Sequence, residues 1–429
     1  MKSKIRSERG FARFVLAVLL ICVMAVPQSV IAASFKVPDG KILTTLKEYD
    51  IAPGITEKHI VTVDKDGSNQ NKSYAAIIDP SVSSVGFLAS YKNYDSSGNW
   101  GMQTVRDQAN AAAAKTGKKI VFGINGDYFN MNTGAPLGAL VMDGKIVHER
   151  NNEPYFAVLK DGTVAIRDAS VALDDVKEAV SGPLYLVKNG QIEAGIKNDT
   201  GANPRCAVGI TEEGKVIFFT NDGRQAPMSV GMGLGEVAEF MKNMGCVDAL
   251  YLDGGGSATF ASRAEGDSGL TVKNSPSDGQ ERQVSSAILV YSDAKSTGEF
   301  DHAVISPDSE VYTPGSSAEF TAKGVDSSGS VVDLPSDGTF SLADNSMGSI
   351  DAAGKFKSSG KTGEVVVRYN SGGKVCGKAT IEIRKPDSIY FLNEEVALAH
   401  DKESDLGLTV KYRNRDIHYN DDDFEWTTR

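Results

Sequence analysis

Three stretches, "ALVMDGKIVHE", "YFAVLKDGTVAIRD" and "AVGITEEGKVIFFT", each place two β-prone runs on either side of a short turn carrying glycine. A turn that short joins only neighbours that run in opposite directions, so residues 139–220 are committed to antiparallel pairing. Helical periodicity is rarer. In "GLGEVAEFMKNMGC", Leu234, Val237, Ala238 and Met241 recur at three- and four-residue spacing, with Glu236 and Glu239 early and Gly245 as a stop. The spacing predicts a helix packed on the sheet, followed at once by "CVDALYL", a buried-type strand with Asp253 at its C-terminal mouth. Hairpins outnumber any βαβ pattern, and the expected fold of residues 34–296 is an α+β catalytic domain with a largely antiparallel sheet.

The flanks read differently. Lys2, Lys4, Arg6, Arg9 and Arg13 precede "FVLAVLLICVMAV", and "VIAAS" offers a cleavage point, so residues 1–33 are expected to be an export signal and the protein to be secreted or attached to the cell surface or wall. The apolar run is short for a span and no other long uncharged run follows, so no transmembrane anchor is expected after its removal. That removal takes five bases and one acid, moving the formal charge from −11 to about −15. Such a surface does not seek nucleic acid. Residues 302–384 are short strands between Gly, Ser and Asp turns, predicting an all-β sandwich. Within it "GSIDAAGKFKS" resembles the recurrent core of bacterial Ig-like domains. Residues 385–429 read as the opening of a further β module, either cut short at Arg429 or a small domain that closes onto its neighbour.

The stretch "ALYLDGGGSATF" delivers Asp253 into Gly254, Gly255, Gly256 and Ser257. Three glycines in a row imply positive φ or a close approach to bare backbone, although a wide turn alone has the same composition. GK[ST] does not follow them, GxGxxG is missing between strand and helix, and no GxSxG elbow exists, so nucleotide loops and serine triads are set aside. Cys206, Cys246 and Cys376 contain no CxxC pair, which removes a cysteine zinc site. A Cys206–Cys246 disulfide is allowed outside the cell, leaving Cys376 free.

What remains is carboxylates, arginines and amides in five glycine-bearing clusters: "GINGDYFN", "NPRCAVGI", "TNDGRQ", "YLDGGGSAT" and "NSPSDGQERQVSSAI". Asp127, Asp222, Asp253 and Glu281 supply nucleophile, base, acid or hard-metal ligands; Arg205, Arg224 and Arg282 supply forked donors for an anion. Carboxylate pairs cleave glycosides and arginines facing glycine-rich backbone capture phosphate, so a substrate holding both sugar and phosphate fits. Each cluster also has a plainer explanation. Asn125 with Asp127 suits a turn, the NDGR segment with Asp222 and Arg224 forms a tight turn whatever its task, and Glu281 beside Arg282 suits a surface ion pair. No cofactor is required, though a structural Ca²⁺ on Asp127, Asp222 and Asp253 is allowed by the ligand chemistry.

In that order, "GINGDYFN", "NPRCAVGI", "GCVDALYLDGGGSAT" and "PSDGQERQVSSAILV" resemble the phosphodiester glycosidase family over roughly residues 75–292. The resemblance implies cleavage between a sugar's anomeric carbon and a phosphodiester, of the N-acetylglucosamine-1-phosphodiester type, on envelope or exopolysaccharide material. Cys206 stands where the family pattern has a threonine-like residue, and Gln283 where proline is common. On this reading Asp253 is nucleophile or base, Glu281 and Asp127 are partner acid or base, and Arg205 with the Gly254, Gly255 and Gly256 amides holds phosphate. Asn125, Asp222, Arg224, Ser257 and Arg282 complete the substrate contacts. A non-catalytic binder of sugar-phosphate polymer and a metal-assisted phosphodiesterase are the competing classes.

Overall fold

The computed structural model describes residues 35–391, 408–412, 415–420 and 423. The expected export signal and most of the expected C-terminal module lie outside them.

All three predicted hairpins are present. Leu140–Met142 pairs with Lys145–His148, Tyr155–Leu159 with Val164–Arg167, and Arg205–Thr211 with Val216–Asn221, each antiparallel. In the first, Asp143 and Gly144 have φ of 48° and 76°, the two left-handed positions that let a two-residue turn follow the strand twist. The predicted helix is Leu234–Asn243, its start held by Glu236 Oε2 accepting from Gly233 N at 3.0 Å. A second helix, Val105–Thr116, begins at Thr104, whose hydroxyl accepts from Asp107 N at 3.1 Å.

Three antiparallel sheets surround one core. The largest has eight strands in the order Lys41–Ala52, Ile55–Asp64, Gln70–Ile78, Val216–Asn221, Arg205–Thr211, Cys246–Leu252, Leu184–Lys188, Gln191–Ile192. Facing it is a five-stranded sheet, Thr271–Val272, Phe260–Ser262, Ile120–Asn125, Ser286–Ser292 and Val85–Tyr91. The hairpins of residues 140–167 join Val176–Ser181 in the third. Phe122, Phe156, Phe218 and Phe260 interlock between them. Alternate residues of the large sheet face the other way, where Phe219 stacks on Phe240 of the Leu234–Asn243 helix. The Val105–Thr116 helix covers the outer face of the five-stranded sheet through Val105, Ala109 and Ala112.

Residues 302–383 form three small sheets around Phe320, Val367, Ile381 and Ile383. They are tied to the preceding residues: Glu265 meets His302 at 2.8 Å, Lys323 meets Asp267 at 2.9 Å, and the buried Asp326 carboxylate accepts from Ser296 Oγ and Thr297 N.

The alternation also rules out the allowed disulfide. Cys206 is buried in the core between the sheets and Cys246 on the helix side of the same sheet. Cys206 pairs across from Leu252 while Cys246 pairs with Thr211. Five residues of strand separate those positions by about 16 Å, far beyond disulfide reach. Burial pushes both thiols up to about 12. In a thiol-reagent titration of the chain without residues 1–33, Cys376 alone is expected to react natively, and all three after denaturation; two thiols missing after denaturation would contradict the placement.

Candidate functional site

The site forms where two strands from different sheets end side by side. Cys246–Leu252 runs out into Asp253, and Ile120–Asn125 runs out into Gly126 and Asp127. Asp253 N donates to Gly126 O at 2.9 Å, and Asn125 Nδ2 donates to Asp253 O at 2.6 Å. Asn125 Oδ1 accepts from Thr259 N at 3.0 Å and from the Cys206 thiol at 3.3 Å. Fully buried, Asn125 stitches the two strand ends together and is not a surface for substrate. Cys206 takes part in that stitch, which accounts for a small polarisable donor at this position.

Asp253 is half-buried. Burial raises its carboxyl to about 6, opposed by the Ser257 hydroxyl, the Gly254 amide and the Arg282 charge. Asp127 is 2 % exposed, with Oδ1 accepting from Tyr128 N and Oδ2 from Gly138 N, both at 2.7 Å. Burial, and then the Glu153 charge, lift it to about 7. Two carboxyls with separate set points thus stand together.

The glycines have individual tasks. A Cβ on Gly254 would meet Pro204 O and the Tyr251 hydroxyl at 2.6 Å; Gly255 has φ of 59°, and a Cβ there would stand 3.3 Å from Arg224 Nη1. On Gly256 a Cβ would fall 2.0 Å from Arg282 Nη2 and 2.3 Å from Asp278 Oδ1. The bare turn therefore admits two guanidinium groups, one over Gly255 and one over Gly256. Of the three amides expected to cradle phosphate, Gly255 N is already taken, donating to Pro204 O at 2.9 Å. Arg224 Nε donates to Asn203 Oδ1 at 3.0 Å, Arg282 pairs with Asp278 at 2.7 Å, and Arg282 Nη1 reaches the buried Ser257 Oγ at 3.3 Å.

Three further expectations change. Glu281 does not join Asp253: its carboxylate accepts from Arg106 N at 3.1 Å and Arg106 Nε at 2.6 Å, holding the first turn of the Val105–Thr116 helix. Arg205 has its guanidinium on Met232 O at 3.1 Å, Tyr251 Oη at 3.1 Å and Gly201 O at 2.8 Å, with its side chain only 11 % exposed. It braces the loop before its own strand. Asp222 is fully buried; Oδ1 accepts from Ser275 N at 2.9 Å and Asn274 Nδ2 at 3.2 Å, and Oδ2 has no well-formed hydrogen bond although the Tyr74 phenol lies nearby. Burial raises Asp222 to about 7. It holds the loop that carries Asp278 and Arg282. Asp127, Asp222 and Asp253 therefore do not converge as a Ca²⁺ ligand set, and among the described residues no group of three or more His, Cys, Asp or Glu is arranged to hold a metal.

Sequence reasoning passed over Tyr128, Tyr251, Glu153 and Asp278. Tyr251 lies two residues before Asp253 on one strand and Tyr128 directly follows Asp127, so proximity to the two aspartates was the available signal. Glu153 sits in the polar run "ERNNEP" with no local signal at all.

Residues 118–291 match the phosphodiester glycosidase family. Over these residues the chain is similar to that family. It is 32% identical over 218 residues to the mouse N-acetylglucosamine-1-phosphodiester alpha-N-acetylglucosaminidase, a match covering 44% of this chain and 40% of that protein. The human protein of that name is 30% identical over the same length with the same coverage. The chain thus spans about two-fifths of the length of the curated relatives it matches. Among solved structures, the catalytic domain of the zebrafish protein of that name is 23% identical, with 59% of this chain and 88% of that one covered at a TM-score of 0.45. The four stretches that carry the resemblance lie within or beside the site just described, apart from Glu281.

Because the Arg205 guanidinium braces Tyr251 and two carbonyls, Arg205→Lys is expected to lower Tm by several degrees as well as to raise KM. A raised KM with unchanged Tm, read by calorimetry, would return Arg205 to the phosphate.

Proposed function

We propose that this protein is an exported hydrolase that cleaves sugar-1-phosphodiesters of the N-acetylglucosamine-1-phosphodiester type at the glycosidic bond, on envelope or exopolysaccharide material. The observation that carries the reading is the pair of guanidinium groups over Gly255 and Gly256 beside the Asp253 carboxylate. The anomeric carbon lies at Asp253 and the phosphodiester against Arg224 and Arg282. The C1–O bond breaks, its electron pair leaves with the phosphate, and Asp253 acts as nucleophile or as base for the attacking water. A phosphomonoester is a good leaving group, so screening its charge matters more than protonating it. Asp127, in place of Glu281, holds the nearest carboxyl proton.

With Asp253 ionising near 6 and Asp127 near 7, kcat/KM is expected to rise as pH climbs through about 6 and to fall above about 7. A flat profile between pH 5 and 8 would remove both assignments. The defining experiment incubates the protein with an N-acetylglucosamine-1-phosphodiester and identifies the products. Free reducing sugar plus a phosphomonoester supports the glycosidase; sugar phosphate supports a phosphodiesterase; binding without release supports a polymer-binding module. The anomer released first, read by NMR, separates nucleophile from base.

A further inference from the structure

An aromatic pair stands beside Asp253 without a task in that scheme. Tyr251 is 3 % exposed; Arg205 Nη1 donates to its phenol at 3.1 Å and the guanidinium lies 5.5 Å from its ring centroid. The Gly254 backbone closes over the same phenol, where a Cβ would come to 2.6 Å. Tyr251 is therefore fixed from two sides. Tyr128 meets it edge to face, with centroids 6.2 Å apart and planes at 87°. Unlike its neighbour, Tyr128 is only half-buried. Its N–H donates to Asp127 Oδ1 at 2.7 Å and its carbonyl accepts from Leu137 N at 3.0 Å, so the backbone beneath the ring is pinned. Tyr128 directly follows Asp127 in the chain and packs on Tyr251, two residues before Asp253, which places it within the site.

We propose that Tyr128 is the wall against which the sugar ring of the substrate seats, with Tyr251 as the fixed buttress behind it. A pyranose presents a C–H-rich face and a polar rim, and a half-open aromatic ring beside a carboxylate matches the first while leaving the second to the carboxylate. The remaining order is then set: ring on Tyr128, anomeric carbon at Asp253, phosphate at Arg224 and Arg282. Tyr128 acts on ground-state binding of the sugar and leaves the chemical step alone. The inference rests on the glycosidase reading for its substrate class.

The test compares wild type, Tyr128→Ala and Tyr128→Phe by turnover of the phosphodiester and by NMR titration with two separate probes, N-acetylglucosamine and inorganic phosphate. Thermal melts accompany each variant. Tyr128→Ala is expected to raise KM and the Kd for free sugar by about tenfold, with kcat and the Kd for phosphate little changed. Tyr128→Phe, which keeps the ring, is expected to stay within about twofold of wild type. Unchanged sugar affinity in Tyr128→Ala overturns the proposal. So does equal loss of sugar and phosphate affinity, the mark of a disturbed turn, or a Phe variant as weak as the Ala variant. A wild type that binds no sugar also overturns it. A wild type that binds sugar through Tyr128 but turns over no phosphodiester leaves the wall standing and sinks the glycosidase reading.

Discussion

Replacing Asp253 by Asn is expected to reduce turnover of a sugar-1-phosphodiester at least about a thousandfold while leaving Tm unchanged or slightly higher. The loss follows from position. Asp253 is the half-buried carboxylate at the strand mouth, and Ser257, the Gly254 amide and Arg282 favour its ionised form. The retained stability follows from the same burial, which raises the group to about 6 and makes its charge a cost to the folded state at neutral pH. Asn keeps the shape, and the backbone bonds to Gly126 and Asn125 do not involve the side chain. Calorimetry and product release on the same sample decide it. Near-normal turnover in a folded variant would remove Asp253 from the mechanism.

The second large effect concerns pH and stability. Asp253 at about 6, Asp127 and Asp222 at about 7 and Glu178 at about 8 are all raised, in each case chiefly by burial. Glu178 accepts from Ala89 N at 2.9 Å and Asp143 N at 3.3 Å, joining two sheets. Between the ordinary carboxylate range and these values the folded chain holds protons that the unfolded chain has released. The contribution of these four groups to stability is therefore fully present below the ordinary carboxylate range and is lost as pH rises through about 6 to 8. His302, raised to about 9 chiefly by Glu265, works in the same direction above its ordinary value. Melts at pH 6 and pH 8.5, both above the isoelectric point near 5.1, are expected to differ by at least about 5 °C in favour of pH 6. Asp222→Asn should flatten the dependence. A Tm that rises with pH across this window would refute the sign.

Not every strand was equally readable. The long N-terminal hairpin Lys41–Ala52 with Ile55–Asp64 and the helix Val105–Thr116 went unnamed in the sequence. The helix is rich in alanine, and its buried face is made of Val105, Gln108, Ala109 and Ala112, too weakly apolar to stand out as a stripe. Packing against the five-stranded sheet supplies what the periodicity lacks.

The sequence by itself determined the local elements: three hairpins, the helix Leu234–Asn243, and a strand that ends on Asp253 before three glycines. Turn chemistry and side-chain periodicity act over about ten residues, so they are written in contiguous letters. Only the tertiary structure decided which polar groups share a site. Glu281 and Arg282 are adjacent in sequence, yet Glu281 turns to Arg106 and Arg282 turns to Asp278 and Ser257. Cys206 and Cys246 face opposite sides of one sheet. Three arginines looked alike, but Arg205 was drawn into bracing Tyr251 while Arg224 and Arg282 stand over the glycine turn. Hydrogen bonds and charges act between whichever groups the sheets bring within a few ångströms, and that proximity is set by strand order, not by spacing along the chain.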